Sequence, residues 1–267
     1  MQVVNTLEQP ARTPVLQPVI LRAVFALSVL GFAVGRAGYR YVATSMPLGG
    51  DTWMVGDWLI NYGGGFVRRG LFGQLFLELA PSGQPGLWVL FVIQMACYLL
   101  ILGYGIRVLY LTRFSWSSIA LVCGPAGLAF IGWVPSIDAA FRKELLGLAA
   151  LVRLALARPV ARSRAGATAL TLAGTVLFVL GVFSWEVTAL LLPAAWYLLL
   201  GGPRDGLVVF RRSTAAAVTV VSAFGAVLST LFHGDVATAD AICDAVRAHG
   251  FSGPQLCSGG ALMNGGA

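Results

Sequence analysis

The chain of 267 residues is 58% hydrophobic with a further 33 glycines, and only 11% of it is charged. Soluble domains carry about 45–50% apolar residues, glycine included, and about 25% charged ones, so a mean hydropathy of +0.82 leaves too little polar surface to cover a water-soluble core and marks an integral membrane protein. The 18 basic residues outnumber the 11 acidic ones, for a net charge of +7, but they punctuate apolar runs instead of sharing a polar face with aromatics, which argues against nucleic acid as a partner.

A bilayer core of about 30 Å takes about 20 apolar residues per helix. By that ruler the sequence predicts an all-α, polytopic membrane protein of about seven spans, at 19–35, 87–106, 116–134, 139–157, 166–184, 187–201 and 213–232. Residues 1–18 form a tail, 19–232 a single transmembrane domain with a polar loop at 36–86, and 233–267 a C-terminal segment. Residues 19–35 also fit a cleaved signal peptide, with Arg12 as its charged region and Ala33-Val34-Gly35 as a small-residue site. Arg22 at the start of the apolar run and the long preceding tail favour a retained helix.

Cytoplasmic loops retain Lys and Arg. With the N-terminus inside, Arg12, Arg22, Arg107, Arg113, Arg153, Arg158, Arg162, Arg164, Arg204, Arg211 and Arg212 fall on the cytoplasmic side. Asp51, Asp57, Glu78, Asp138, Glu144, Glu186, Asp235, Asp240 and Asp244 then fall outside. Without a span at 139–157, the clusters around Arg158–Arg164 and Arg204–Arg212 would move outside, so the charge pattern requires one there.

The loop 36–86 holds Asp51, Asp57 and the stretch NYGGGFVRRGLFG from Asn61 to Gly73. It continues in a stripe at helical spacing, Leu71, Phe72, Leu75, Phe76 and Leu79, with Arg68, Arg69, Gln74 and Glu78 opposite, which predicts a helix lying in the interface plane. Two readings of this stretch stand. The arginines anchor the helix to lipid headgroups, or Gly63–Gly65 let backbone amides approach an anion while Arg68 and Arg69 supply guanidinium forks that match phosphate.

Three more clusters come to the same side. Asp138 with Phe141–Glu144 opens the fourth span, Trp185 and Glu186 lie between the fifth and sixth, and His233 and Asp235 follow the seventh. Charge at membrane depth costs about 2.5–3.5 kcal/mol on insertion scales. Glu186, alone in an apolar stretch from 166 to 201, is therefore either a wetted turn residue or a carboxylate facing a polar cavity. Arg142 and Lys143 are either interfacial anchors or anion ligands. Cys243, His249 and Cys257 lack a fourth partner for zinc, and no metal site is expected. On the outer side Cys243 and Cys257 are instead expected to form a disulfide closing a polar, Gly-containing segment. Cys97 and Cys123 sit in apolar stretches as small hydrophobes.

An outer loop after the first helix that carries acids, an interfacial helix and paired arginines resembles that of polytopic bacterial envelope proteins acting on lipid-linked sugars, namely C-type-fold glycosyltransferases and surface-polysaccharide polymerases. The likeness covers mainly residues 36–86. It implies a bacterial inner-membrane enzyme, with the C-terminal segment extracytoplasmic, that transfers sugar from a polyprenyl-phosphate-linked donor. It further implies catalytic roles for Asp51 and Asp57, here joined by Glu186, and donor-phosphate binding by Arg68, Arg69, Arg142 and Lys143. A divalent metal enters only through the resemblance, and no other cofactor is expected. The chain departs from that pattern in lacking an Asp-x-Asp pair in the first outer loop and in having fewer spans than C-type enzymes. The alternative from another class is a transporter or non-catalytic membrane subunit whose same charges bind an anionic solute or a protein partner.

Overall fold

The computed structural model describes residues 16–50, 54–67, 69–111, 141–157, 164–201, 208–232, 235–253 and 256, and every regular element among them is helical. The predicted span 116–134 and the residues Asp51, Arg68, Asp138, His233 and Cys257 lie outside the described residues.

Helix α1, Leu16–Arg40, contains the first predicted span and continues through one wide turn, Tyr41–Ser45. Pro47 lacks the N–H a further turn needs, and Gly49 and Gly50, at φ +71° and +110°, reverse the chain. A short 3-10 turn, Gly56–Leu59, and helix α2, Leu71–Leu79, follow. Helix α3, Gln84–Leu111, starts with Pro85 in its first turn, where a missing N–H costs nothing. Helix α4, Glu144–Leu156, is followed by α5, Arg164–Ser184. A 3-10 turn, Glu186–Leu191, leads into α6, Leu192–Leu200. Helix α7 is Val208–Leu231 and α8 is Val236–Ala248.

Among the described residues, three helices are long and apolar enough to cross a membrane: Gln84–Val108 in α3, Arg164–Ser184 in α5 and Phe210–Ser229 in α7. Their outward positions stay apolar, with Val92, Val176, Val220 and Phe224 all exposed, as a lipid-facing surface requires and a wetted one does not. The predicted stretches 139–157 and 187–201 form shorter helices than the ruler asks for. With 13 residues α4 is about 20 Å long, and eight of those residues are buried. The helix that the apolar run forms is thus shorter than predicted and largely enclosed by protein.

Small residues let α4 and α5 approach. A Cβ on Gly174 would come within 2.9 Å of Leu154, and one on Gly147 or Gly181 would press on Thr188 at 2.7 and 3.0 Å. Ala150, Leu154, Phe178, Val182, Ala195, Leu199, Ala215 and Val218 fill the space between α4, α5, α6 and α7. Without a hydrophobic driving force in lipid, such close packing is the main source of helix association.

Two segments cap one end of this bundle. The Tyr41 hydroxyl donates to the Leu87 carbonyl at 3.0 Å, Trp58 Nε1 donates to the Phe141 carbonyl, and Gln94 Nε2 donates to the carbonyls of Met54 at 2.6 Å and Phe141 at 3.3 Å. The cap therefore sinks beside α3 as far as Gln94, about three turns in, and the turn that starts α4 is recessed with it. Helix α8 closes the cap from above. Asp235 caps its N-terminus by accepting from Thr238 N–H at 2.8 Å, and Gly250 at φ +87° ends it. Asn61 Nδ2 donates to Ile242 O at 3.3 Å, and the Gly83 amide donates to His249 O at 3.0 Å.

The predicted stripe of α2 divides in two. Phe72 and Phe76 pack into the cap core, but Leu75 and Leu79 point outward. Gly73 sets that rotation, because a Cβ there would lie 2.0 Å from Ile60 O. Gly73→Ala must push α2 off the 59–60 backbone, and a loss of about 3 kcal/mol, the upper range for overpacking, is expected. Thermal unfolding of the purified protein measures it, and an unchanged midpoint would refute this account of the packing.

Candidate charge cluster beneath the cap

The cap and three helix ends bring six charged side chains together. Arg69 sits just before α2, Asp57 in the 3-10 turn, Arg142, Lys143 and Glu144 at the start of α4, and Glu186 directly after α5. Arg69 grips Glu186 with its fork, Nε to Oε2 at 2.8 Å and Nη2 to Oε1 at 2.5 Å. Such a bidentate pair is the strongest form of ion-pair recognition. Arg69 is also the one non-glycine residue with positive φ among the described residues, at +74°. A side chain there costs on the order of 1 kcal/mol or more, which the fork and the next contact offset.

Lys143, fully buried, donates from Nζ to the Arg69 carbonyl at 2.9 Å. Left-handed backbone at Arg69 thus lets one residue serve two partners, its carbonyl facing Lys143 and its guanidinium facing Glu186. Arg142 Nε lies 3.5 Å from Glu144 Oε1. The Trp185 ring carries the Arg69 guanidinium 4.0 Å from its centre and that of Arg142 at 5.4 Å, a cation–π arrangement.

Several buried polar atoms here have no hydrogen-bond partner. Both Asp57 carboxylate oxygens, Glu144 Oε2 and Trp185 Nε1 are in this state. A native interior leaves few such atoms, and each asks for an explanation such as a ligand or ion.

Of the residues singled out in the sequence, Asp57, Arg69, Arg142, Lys143 and Glu186 meet in this cluster, while Asp51 and Arg68 lie outside the described residues. Glu144 and Trp185 join them. Their signal in the sequence was adjacency, one flanking Lys143 and the other Glu186. The glycine triplet does different work from an anion cradle. The Gly63 amide donates to Asn61 Oδ1 at 2.7 Å and the Gly65 amide to Tyr62 O at 2.9 Å, so two of its three amides are engaged within the turn. A Cβ on Gly64 would lie 2.7 Å from Thr238 O, and one on Gly63 3.0 Å from Ala245 Cβ. These glycines admit α8 to close approach.

His249 Nε2 lies 3.2 Å from Ala80 O and its ring stacks on Phe251. Among the described residues no group of three His, Cys, Asp or Glu side chains is placed to hold a metal ion. Cys243 is buried on the inner side of α8, and Cys97 is a free thiol in α3.

Comparison with protein-family models, with curated proteins and with solved structures finds no match to this chain.

Proposed function

We propose that this chain is a glycan-building enzyme of the bacterial inner membrane, transferring sugar from a polyprenyl-phosphate-linked donor at the outer face. The observation that carries the reading is Asp57, a carboxylate 1% exposed with both oxygens unpartnered, held beside Lys143 and Arg69. Glycosyl transfer needs a base for the acceptor hydroxyl and positive charge for the departing phosphate. The acceptor oxygen bonds to the anomeric carbon as the carbon–phosphate-oxygen bond breaks. Asp57 takes the hydroxyl proton, and the phosphate leaves carrying the electron pair toward the cationic side of the cluster.

The proposal includes a topology of seven crossings with the N-terminus in the cytoplasm, in which α4 and the 3-10 turn with α6 are shortened because the cap occupies their outer ends. Reporter fusions after Tyr110, Arg162 and Gly206 should report cytoplasm and one after Ala245 the outside. A cytoplasmic signal at Ala245 contradicts it. It also includes a Cys243–Cys257 bridge, which would stabilise its 15-residue loop, counted inclusively, by about 3 kcal/mol on the chain-entropy model. Peptide mapping without reductant should recover the linked pair, and free thiols at both positions would refute the bridge.

A transporter or non-catalytic subunit is the second reading, favoured by the Arg69 fork being filled by Glu186 rather than open to phosphate. Mass spectrometry of polyprenyl-linked intermediates, with and without the gene, separates the two. A glycan species that depends on the chain supports the enzyme, whereas solute flux with unchanged lipid-linked pools supports transport.

A further inference from the structure

The unpartnered atoms of the cluster define what it lacks. Three of them are acceptors, Asp57 Oδ1 and Oδ2 and Glu144 Oε2, and one is a donor, Trp185 Nε1. They belong to one neighbourhood: Arg142 lies 3.5 Å from Glu144 and, with Arg69, over the Trp185 ring, and Trp58, next to Asp57, donates to the carbonyl of Phe141, next to Arg142. Asp57, Glu144 and Glu186 contribute three negative charges, and Arg69, Arg142 and Lys143 three positive ones, so the formal charge of the six is zero.

Each ligand class makes a different match to this inventory. A phosphate presents acceptors, so it would suit the indole N–H and the Arg142 guanidinium but would leave the three carboxylate oxygens without donors and set its own charge beside theirs. A metal ion would suit the acceptors but would face an ammonium and two guanidinium groups. A hydroxyl both donates and accepts, and two or three of them on one ring supply donors to Asp57 and Glu144 and an acceptor to Trp185. Neutrality of the cluster also fits a ligand without charge.

We infer that Asp57, Glu144 and Trp185 form a subsite for the vicinal hydroxyls of a neutral sugar, separate from the Arg69–Glu186 fork. Resting on the function proposed above, the subsite takes the acceptor sugar, with the donor phosphate on the cationic side of the cluster. Glu144 and Trp185 are then binding residues beside Asp57, the base.

Saturation-transfer NMR on the full chain in detergent micelles tests this with free glucose, galactose, mannose and N-acetylglucosamine as probes, and with inorganic pyrophosphate and magnesium as competitors. Transfer to at least one sugar is expected, unaffected by pyrophosphate or magnesium. Trp185→Phe keeps the ring and removes only the N–H, and Glu144→Gln replaces a buried acceptor with an amide. Each should weaken binding about tenfold, the loss expected for one hydrogen bond to a buried or charged group. Leu79→Ser, on the exposed edge of α2, should leave it unchanged. Matching unfolding midpoints for wild type and variants certify folding, and a variant that fails this check is replaced by Trp185→Tyr, for which the same weakening is expected. No transfer to any of the four sugars, displacement by pyrophosphate or magnesium, or undiminished binding in both variants overturns the subsite. Sugar binding that follows the variants, in a chain whose deletion leaves lipid-linked glycans unchanged, upholds the subsite and overturns the enzyme. Glycan loss on deletion with no sugar binding does the reverse.

Discussion

Lys143→Met is expected to destabilise the protein by about 3 kcal/mol, the low end for removing one partner from a buried set of charges. The ammonium is fully buried, donates to the Arg69 carbonyl and is the cation that most directly compensates Asp57. Without it, a carboxylate with no hydrogen-bond partner stays in the cap interior. Asp57→Asn in the Lys143→Met background should recover much of the loss, since it removes the charge left uncompensated.

A double-mutant cycle on Arg69 and Glu186 should return a coupling of about 1–2 kcal/mol. The bidentate geometry favours the upper part of the range for ion pairs, and side-chain exposures of 15% and 23% admit enough solvent to keep it below that of a fully buried pair. Arg69→Lys is expected to recover little of it, because an ammonium cannot reproduce the planar fork. Backbone strain adds a second signature. At φ +74° glycine is at ease and alanine is not, so Arg69→Gly should be more stable than Arg69→Ala by about 0.5–1 kcal/mol, although both lose the pair. Equal stability of those two variants would mean that the position relaxes out of the left-handed region.

Composition and apolar run length were enough to anticipate an all-helical fold with helices long and apolar enough to cross a membrane. The places where that reading and the fold part company share one cause. Run length reports that a helix avoids water without saying whether lipid or protein surrounds it, so it did not foretell that α4 is short and buried on most sides. The stripe on α2 reads as one face from spacing alone, yet the contact between Gly73 and the Ile60 carbonyl turns Phe72 and Phe76 inward and leaves Leu79 outside. At the charge cluster, the rule that charges in apolar chains must be paired or wetted pointed to Glu186 and Lys143. It gave no information on pairing, which depends on a left-handed residue that is an arginine and on segments up to 117 positions apart in sequence. Glu144 and Trp185 were harder to find, because a carboxylate beside two cations and a tryptophan near an interface have ordinary explanations. Only the missing hydrogen-bond partners set them apart.

The enzyme reading rests on Asp57 as the base, and one measurement addresses it directly. Cells lacking the gene are complemented with the wild-type chain or with Asp57→Asn at matched membrane abundance, and their polyprenyl-linked glycans are profiled by mass spectrometry. The account predicts that Asp57→Asn accumulates the same unextended lipid-linked species as the deletion, while Leu79→Ser restores the wild-type profile. A wild-type glycan profile in cells carrying Asp57→Asn would contradict it.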